Sequence, residues 1–284
     1  MINHCKPYRC NIFRSVSVVF LILLGFAHAS ANAHPSSSKH PQIALLGDSM
    51  TWIGGDSCQN PTGWSHVLKE SGIAGKIDVY ARSGASWTNT KSTKRNPQHY
   101  TELLHDDNVV YNQAVRLIEK ADNSNELPDI IVLFAGANDA WFVTKRPGLY
   151  DKEDSDILYS SDTDPAMVTT LEGSINLVVE LLQERFPYAH LLFVTPLQMS
   201  KTDAESIFRV SDIIERTASK KGHHVLRADK ETDINHEQEA QSPKYTYDGV
   251  HTNQEGARLL GDYILKFLIS YLQNSTTSQL ITDN

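Results

Sequence analysis

Five short, largely uninterrupted apolar runs constrain this chain more than any other feature. They are Ile43-Ala44-Leu45-Leu46, Ile77-Asp78-Val79-Tyr80, Ile130-Ile131-Val132-Leu133-Phe134, Leu191-Leu192-Phe193-Val194 and Val225-Leu226. A strand with one wet face alternates apolar and polar residues; a run without alternation fits a parallel strand covered on both faces. Between the runs the period changes. Val168, Leu171, Ile175, Val178 and Leu182 step by three, four, three and four, and so do Ile207, Val210 and Ile214 in register with a second stripe. Each stripe gives a helix one apolar face to lay on a sheet. A final pattern, Leu260, Ile264, Leu268 and Tyr271, follows Asn253, a residue suited to capping a helix start. Strand-helix alternation with no linker or repeat predicts one doubly wound α/β domain over residues 34–284.

Residues 1–33 are set apart from that domain. Lys6, Arg9 and Arg14 precede an apolar core that includes Val18 to Leu24, and Ala27-His28-Ala29 and Ala31-Asn32-Ala33 are small-x-small sequences. This is the pattern of a secretory signal peptide, with cleavage expected after Ala33 or Ala29. The expected product is exported, to periplasm or medium, with no stable membrane anchor left. Three basic residues and no acidic ones leave with the leader, so 23 bases and 34 acids remain and the charge moves from −8 to −11. Such a balance argues against nucleic acid as a partner. Cys5 and Cys10 also leave, and Cys58 alone cannot form an intramolecular disulfide. It is expected to be a buried bystander thiol.

Two long polar stretches, residues 88–107 and 144–165, follow the second and third strand runs. Loops at that edge either surround a ligand or decorate the surface, and composition does not choose.

Four pieces carry candidate chemistry. The first run enters Gly47-Asp48-Ser49-Met50-Thr51, which can hold the Ser49 hydroxyl on a tight turn. Asp248-Gly249-Val250-His251 sets a carboxylate three residues from an imidazole, the local requirement for a held general base. Asn138, in Gly136-Ala137-Asn138-Asp139, can donate an amide hydrogen, and Gly84 lets a backbone N–H approach closely because it has no Cβ. Singly, each is explained equally well by turn and cap geometry.

In combination and order, the four resemble the blocks of the SGNH, or GDSL-type, hydrolase superfamily over about 205 positions, with Met50 where Leu or Ile is commoner. The resemblance implies a flavodoxin-like three-layer α/β/α fold with a five-stranded parallel sheet. It implies Ser49 as nucleophile, His251 as base and then acid, and Asp248 as the residue that orients His251. The N–H groups of Ser49 and Gly84 and the Asn138 side chain would form the oxyanion hole. No Gly-x-Ser-x-Gly elbow surrounds Ser49, unlike ordinary α/β-hydrolases. The expected activity is hydrolysis of a carboxylic ester without cofactor or metal; His223, His224 and His236 do not form a convincing ligand set. A small-molecule or glycan ester is the expected partner, with carbohydrate deacetylation ahead of a lysophospholipase- or thioesterase-like activity. A carbohydrate-binding module that no longer turns over is the alternative of another class. Trp52, Trp87 and Trp141 each lie three residues after Ser49, Gly84 and Asn138, so all three are candidates for substrate contact. Trp64 is expected to anchor the helix that follows it.

Overall fold

A computed structural model describes residues 40–153 and 157–282, with side chains through residue 275. The expected leader lies outside the described residues. Five parallel strands form one sheet: β1 (Gln42–Gly47), β2 (Lys76–Val79), β3 (Ile130–Phe134), β4 (His190–Val194) and β5 (His224–Leu226). Their order is β2-β1-β3-β4-β5, with Leu45 opposite both Val79 and Val132 and Gly47 opposite Phe134. All five residues of β3 are buried, as its unbroken apolar run predicts.

Helices cover both faces. The short α1 (Ser49–Trp52) and the longer α2 (Trp64–Ser71) follow β1, and α2 packs against the terminal α9 (Gln254–Thr282). On the other face α3 (Val110–Ser124), α5 (Leu171–Arg185) and α6 (Ala204–Lys220) pack side by side. The five-residue α4 (Ala137–Trp141) follows β3 directly; α7 (Ala228–Glu231) and α8 (His236–Gln241) lie between β5 and α9. The result is the expected three-layer sandwich.

The stripe residues Leu171, Ile175, Val178 and Leu182 are fully buried, each contributing about 1.5–3 kcal/mol. Val168 is buried but precedes α5, because the Thr170 hydroxyl accepts from the Gly173 amide and starts the helix there. Asn253 caps α9 as expected, accepting from the Glu255 and Gly256 amides. Trp64 opens α2 and packs against Phe134 with ring centroids 6.0 Å apart. Cys58 is buried, and burial pushes its thiol pKa up.

The order in which strands are added reverses between β1 and β3: β1 connects outward to β2, and β3 connects the other way, toward β4. In such sheets ligands gather outside the carboxyl ends of the two strands that flank the reversal. Ser49 follows β1 and Asn138 follows β3.

Candidate active site

Asp48 ties the two strand ends together. Its carboxylate accepts from the Met50 amide at 3.0 Å, which starts α1, and from the Ala137 amide at 3.3 Å, which starts α4. The turns that carry Ser49 and Asn138 are therefore tied together by one buried side chain. Burial pushes the Asp48 pKa up to about 7; the two amides oppose this, and Asp139 adds to it. His251 also acts on Asp48 through its charge, so the imidazole lies in the same neighbourhood although it is some 200 residues further along the chain.

Behind Ser49, the Gln113 side chain from α3 grips both polar groups of Gly47. Gly47 N donates to Gln113 Oε1 at 2.7 Å, and Gln113 Nε2 donates to Gly47 O at 2.8 Å. The neighbouring carbonyl of Phe134 would lie 2.0 Å from a Cβ at position 47, so only glycine fits between β1 and β3.

The turn after β2 forms the third wall. Gly84 has φ +75°, and a Cβ there would meet the Leu103 and Leu104 backbone at 2.4 and 2.6 Å. Asn138 Nδ2 donates to the Ala85 carbonyl at 2.8 Å, which uses one of its two hydrogens. Asp139, wholly buried, accepts from the Trp87 and Thr88 amides at 2.8 and 2.9 Å. The β3 and β2 turns are thus laced together by adjacent side chains of α4.

The fourth wall is the loop before α9. His251 Nδ1 lies 2.7 Å from Asp248 Oδ2, while Asp248 Oδ1 accepts from the Val250 and His251 amides at 2.9 and 2.7 Å. Burial works to raise the Asp248 pKa, but the His251 contact and the two amides outweigh it and hold the carboxyl below its ordinary value. With Nδ1 committed to Asp248, Nε2 is the nitrogen left for a reacting partner.

Glu239 on α8 holds this loop, and no sequence pattern pointed to it. Its buried carboxylate accepts from the Lys244, Tyr245 and Thr246 amides and from the Thr246 hydroxyl. Gln113 and Asp139 were likewise not legible as site supports.

The three tryptophans separate. Trp141 is 39% exposed on α4 and stacks on Phe142. Trp52 is partly exposed, with the Arg82 guanidinium 4.6 Å over its ring. Trp87 corrects the expectation of substrate contact. It is fully buried, stacks on Phe193 and donates Nε1–H to the Ala135 carbonyl at 3.1 Å, so it is a core residue that packs the loop. Residues 88–107 are not loose decoration either, since Thr88, Asn89 and Thr93 are buried.

A doubly wound sheet with Ser49, Gly84, Asn138 and the Asp248–His251 pair along its carboxyl edge defines a class of ester-cleaving α/β enzymes that lack the nucleophile elbow. Residues 45–259 match the model of the GDSL-like Lipase/Acylhydrolase family, and the chain belongs to that family of ester hydrolases. No curated sequence matches it significantly. Solved structures share the fold. A protein from Lactobacillus plantarum is 20% identical, with 82% of this chain and 98% of that one covered and a TM-score of 0.55. A possible lipase from Chitinophaga pinensis is 13% identical, with 82% and 99% covered and a TM-score of 0.54.

Proposed function

We propose that this enzyme is an exported serine esterase that removes a short acyl group, acetyl above all, from a carbohydrate. The observation that carries the catalytic part is the Asp248–His251 pair, oriented at 2.7 Å beside two backbone amides that keep the carboxylate ionised. Ser49 Oγ attacks the ester carbonyl as His251 Nε2 takes its proton. The oxyanion forms against the N–H groups of Ser49 and Gly84 and the second Nδ2 hydrogen of Asn138, each such donor being worth about 3–4 kcal/mol. The C–O bond to the alcohol breaks and His251 returns the proton to the leaving oxygen. A water, deprotonated by His251, then attacks the acyl-Ser49 ester, and the acid leaves as Ser49 recovers its proton.

The carbohydrate preference rests on Trp141, whose flat, half-open indole lies one helical turn from Asn138. A second reading, a longer acyl chain, draws on Leu103, which is 73% exposed beside the Gly84 turn. Export rests on the residues 1–33 pattern, and N-terminal sequencing of the released protein tests it. Ser49→Ala tests the mechanism. It should lower turnover of a small acetyl ester by about 10³-fold or more with the fold unchanged. Wild-type rates in the variant would end the serine mechanism. Rates across acetyl, butyryl, octanoyl and acetylated-glycan esters separate the two substrate readings.

A further inference from the structure

We propose that His99, His105 and Asp107 form a site for a divalent transition metal, zinc above all, that clips together the loop behind the Gly84 turn. One ligand atom from each residue lies within 4.8 Å of the other two. Two imidazole nitrogens, one carboxylate oxygen and a water make up a zinc donor set; the harder calcium and magnesium ions prefer oxygen throughout. Tetrahedral coordination would bring the ligand atoms to about 3.4 Å apart. The loop therefore has to tighten by roughly an ångström on binding.

Each donor is open to a cation in a way its neighbours explain. His99 Nε2 is buried and has no hydrogen-bond partner, which leaves a polar atom uncompensated inside the protein. Asp107 uses Oδ1 to accept from the Lys94 amide at 2.8 Å, and Oδ2 remains for a metal. His105 is exposed and can turn its ring; its Nδ1 now accepts from the Asp107 amide at 3.1 Å, and coordination exchanges that bond for one to the metal. The two rings already lie 4.6 Å apart and are inclined by 21°. Arg116, which donates to the His99 carbonyl, opposes a cation here; the Asp107 charge offsets it.

The position gives the clip a consequence. Leu103 and Leu104, which press their backbone on Gly84, lie between His99 and His105. Asn108, next to Asp107, donates to the Ser83 and Leu103 carbonyls at 2.8 and 2.9 Å. A metal across residues 99–107 would stiffen the segment against which the Gly84 turn rests. The site itself does not depend on the catalytic roles proposed above.

The test uses the whole exported protein, stripped with a chelator and titrated with Zn²⁺ against a chromophoric competitor. One ion per chain is expected, with affinity falling about tenfold or more in His99→Ala and in His105→Ala. His251→Ala should bind as the wild type does, which separates this site from the Asp248–His251 pair. Zn²⁺ should raise the Tm of the wild type and of His251→Ala but not of His99→Ala. If the alanine variants fail to fold, Co²⁺ added to the wild type supplies the reading, since a tetrahedral site with two imidazoles gives intense visible bands. Absence of one-to-one zinc binding, featureless Co²⁺ spectra, or binding unchanged by His99→Ala and His105→Ala would overturn the proposal.

Discussion

Removing the Glu239 carboxylate should damage both stability and turnover, for one reason. Oε1 accepts from the Lys244 and Tyr245 amides at 3.2 and 3.0 Å, and Oε2 accepts from the Thr246 amide at 3.0 Å and from the Thr246 hydroxyl. A hydrogen bond to a charged acceptor is worth about 1.5–3 kcal/mol, and a buried donor left without a partner costs about 1–3 kcal/mol. Glu239→Ala strands the two buried amides of Tyr245 and Thr246, while the Lys244 amide lies nearer solvent, so the loss is on the order of 2–6 kcal/mol unless water enters the space. Glu239→Gln keeps one acceptor oxygen and turns an NH₂ toward the Thr246 amide, stranding that amide alone, for about 1–3 kcal/mol. Urea unfolding should rank wild type, Gln and Ala in that order with a common m-value. The three amides belong to the residues just before Asp248, so kcat should fall in the same order while the variants are still folded. An Ala variant with an unchanged midpoint and full turnover would refute the claim that this side chain holds the Asp248–His251 loop.

Other perturbations test other walls of the site. Asp48 is raised to about 7 in the fold against an ordinary value near 3.8. The folded state therefore holds a proton that the unfolded chain has lost, and this contribution to stability is full below about pH 3.8 and declines as pH rises to about 7. Comparing unfolding of the wild type and Asp48→Asn across that window should show the decline in the wild type alone. Gly84→Ala forces a Cβ into the Leu103 and Leu104 backbone at a positive φ, and kcat should fall by about 10²-fold as the donor moves; an unchanged kcat would remove Gly84 from the oxyanion hole. Trp141→Ala should leave Tm nearly unchanged yet raise KM for an acetylated glycan, whereas Trp87→Ala should cost about 3–5 kcal/mol. Equal Tm values for the two would contradict their different burial.

The sequence made the sheet legible because its strands are covered on both faces, and burial on two sides leaves a continuous apolar run that no helix of that length needs. The α9 start was legible because Asn253 acts on amides two and three residues away. Gln113, Asp139 and Glu239 were not. Gln113 and Asp139 act on backbone 66 and about 50 residues away, and Glu239 looks like any charged residue on a short helix. The tryptophan spacing misled at Trp87 for a definite reason. A separation of three keeps two side chains on one face only where the backbone is helical, as it is from Ser49 to Trp52 and from Asn138 to Trp141. From Gly84 to Trp87 the backbone is irregular, and the indole turns inward.

The double grip of Gln113 on Gly47 works as a one-residue strand, supplying an acceptor for the Gly47 amide and a second donor, beside the Arg82 amide, for its carbonyl. The Gly47 amide should thus be among the slowest in the molecule to exchange its hydrogen with solvent. Rigidity concentrated directly beneath the Ser49 turn would let the surrounding loops change without shifting that hydroxyl.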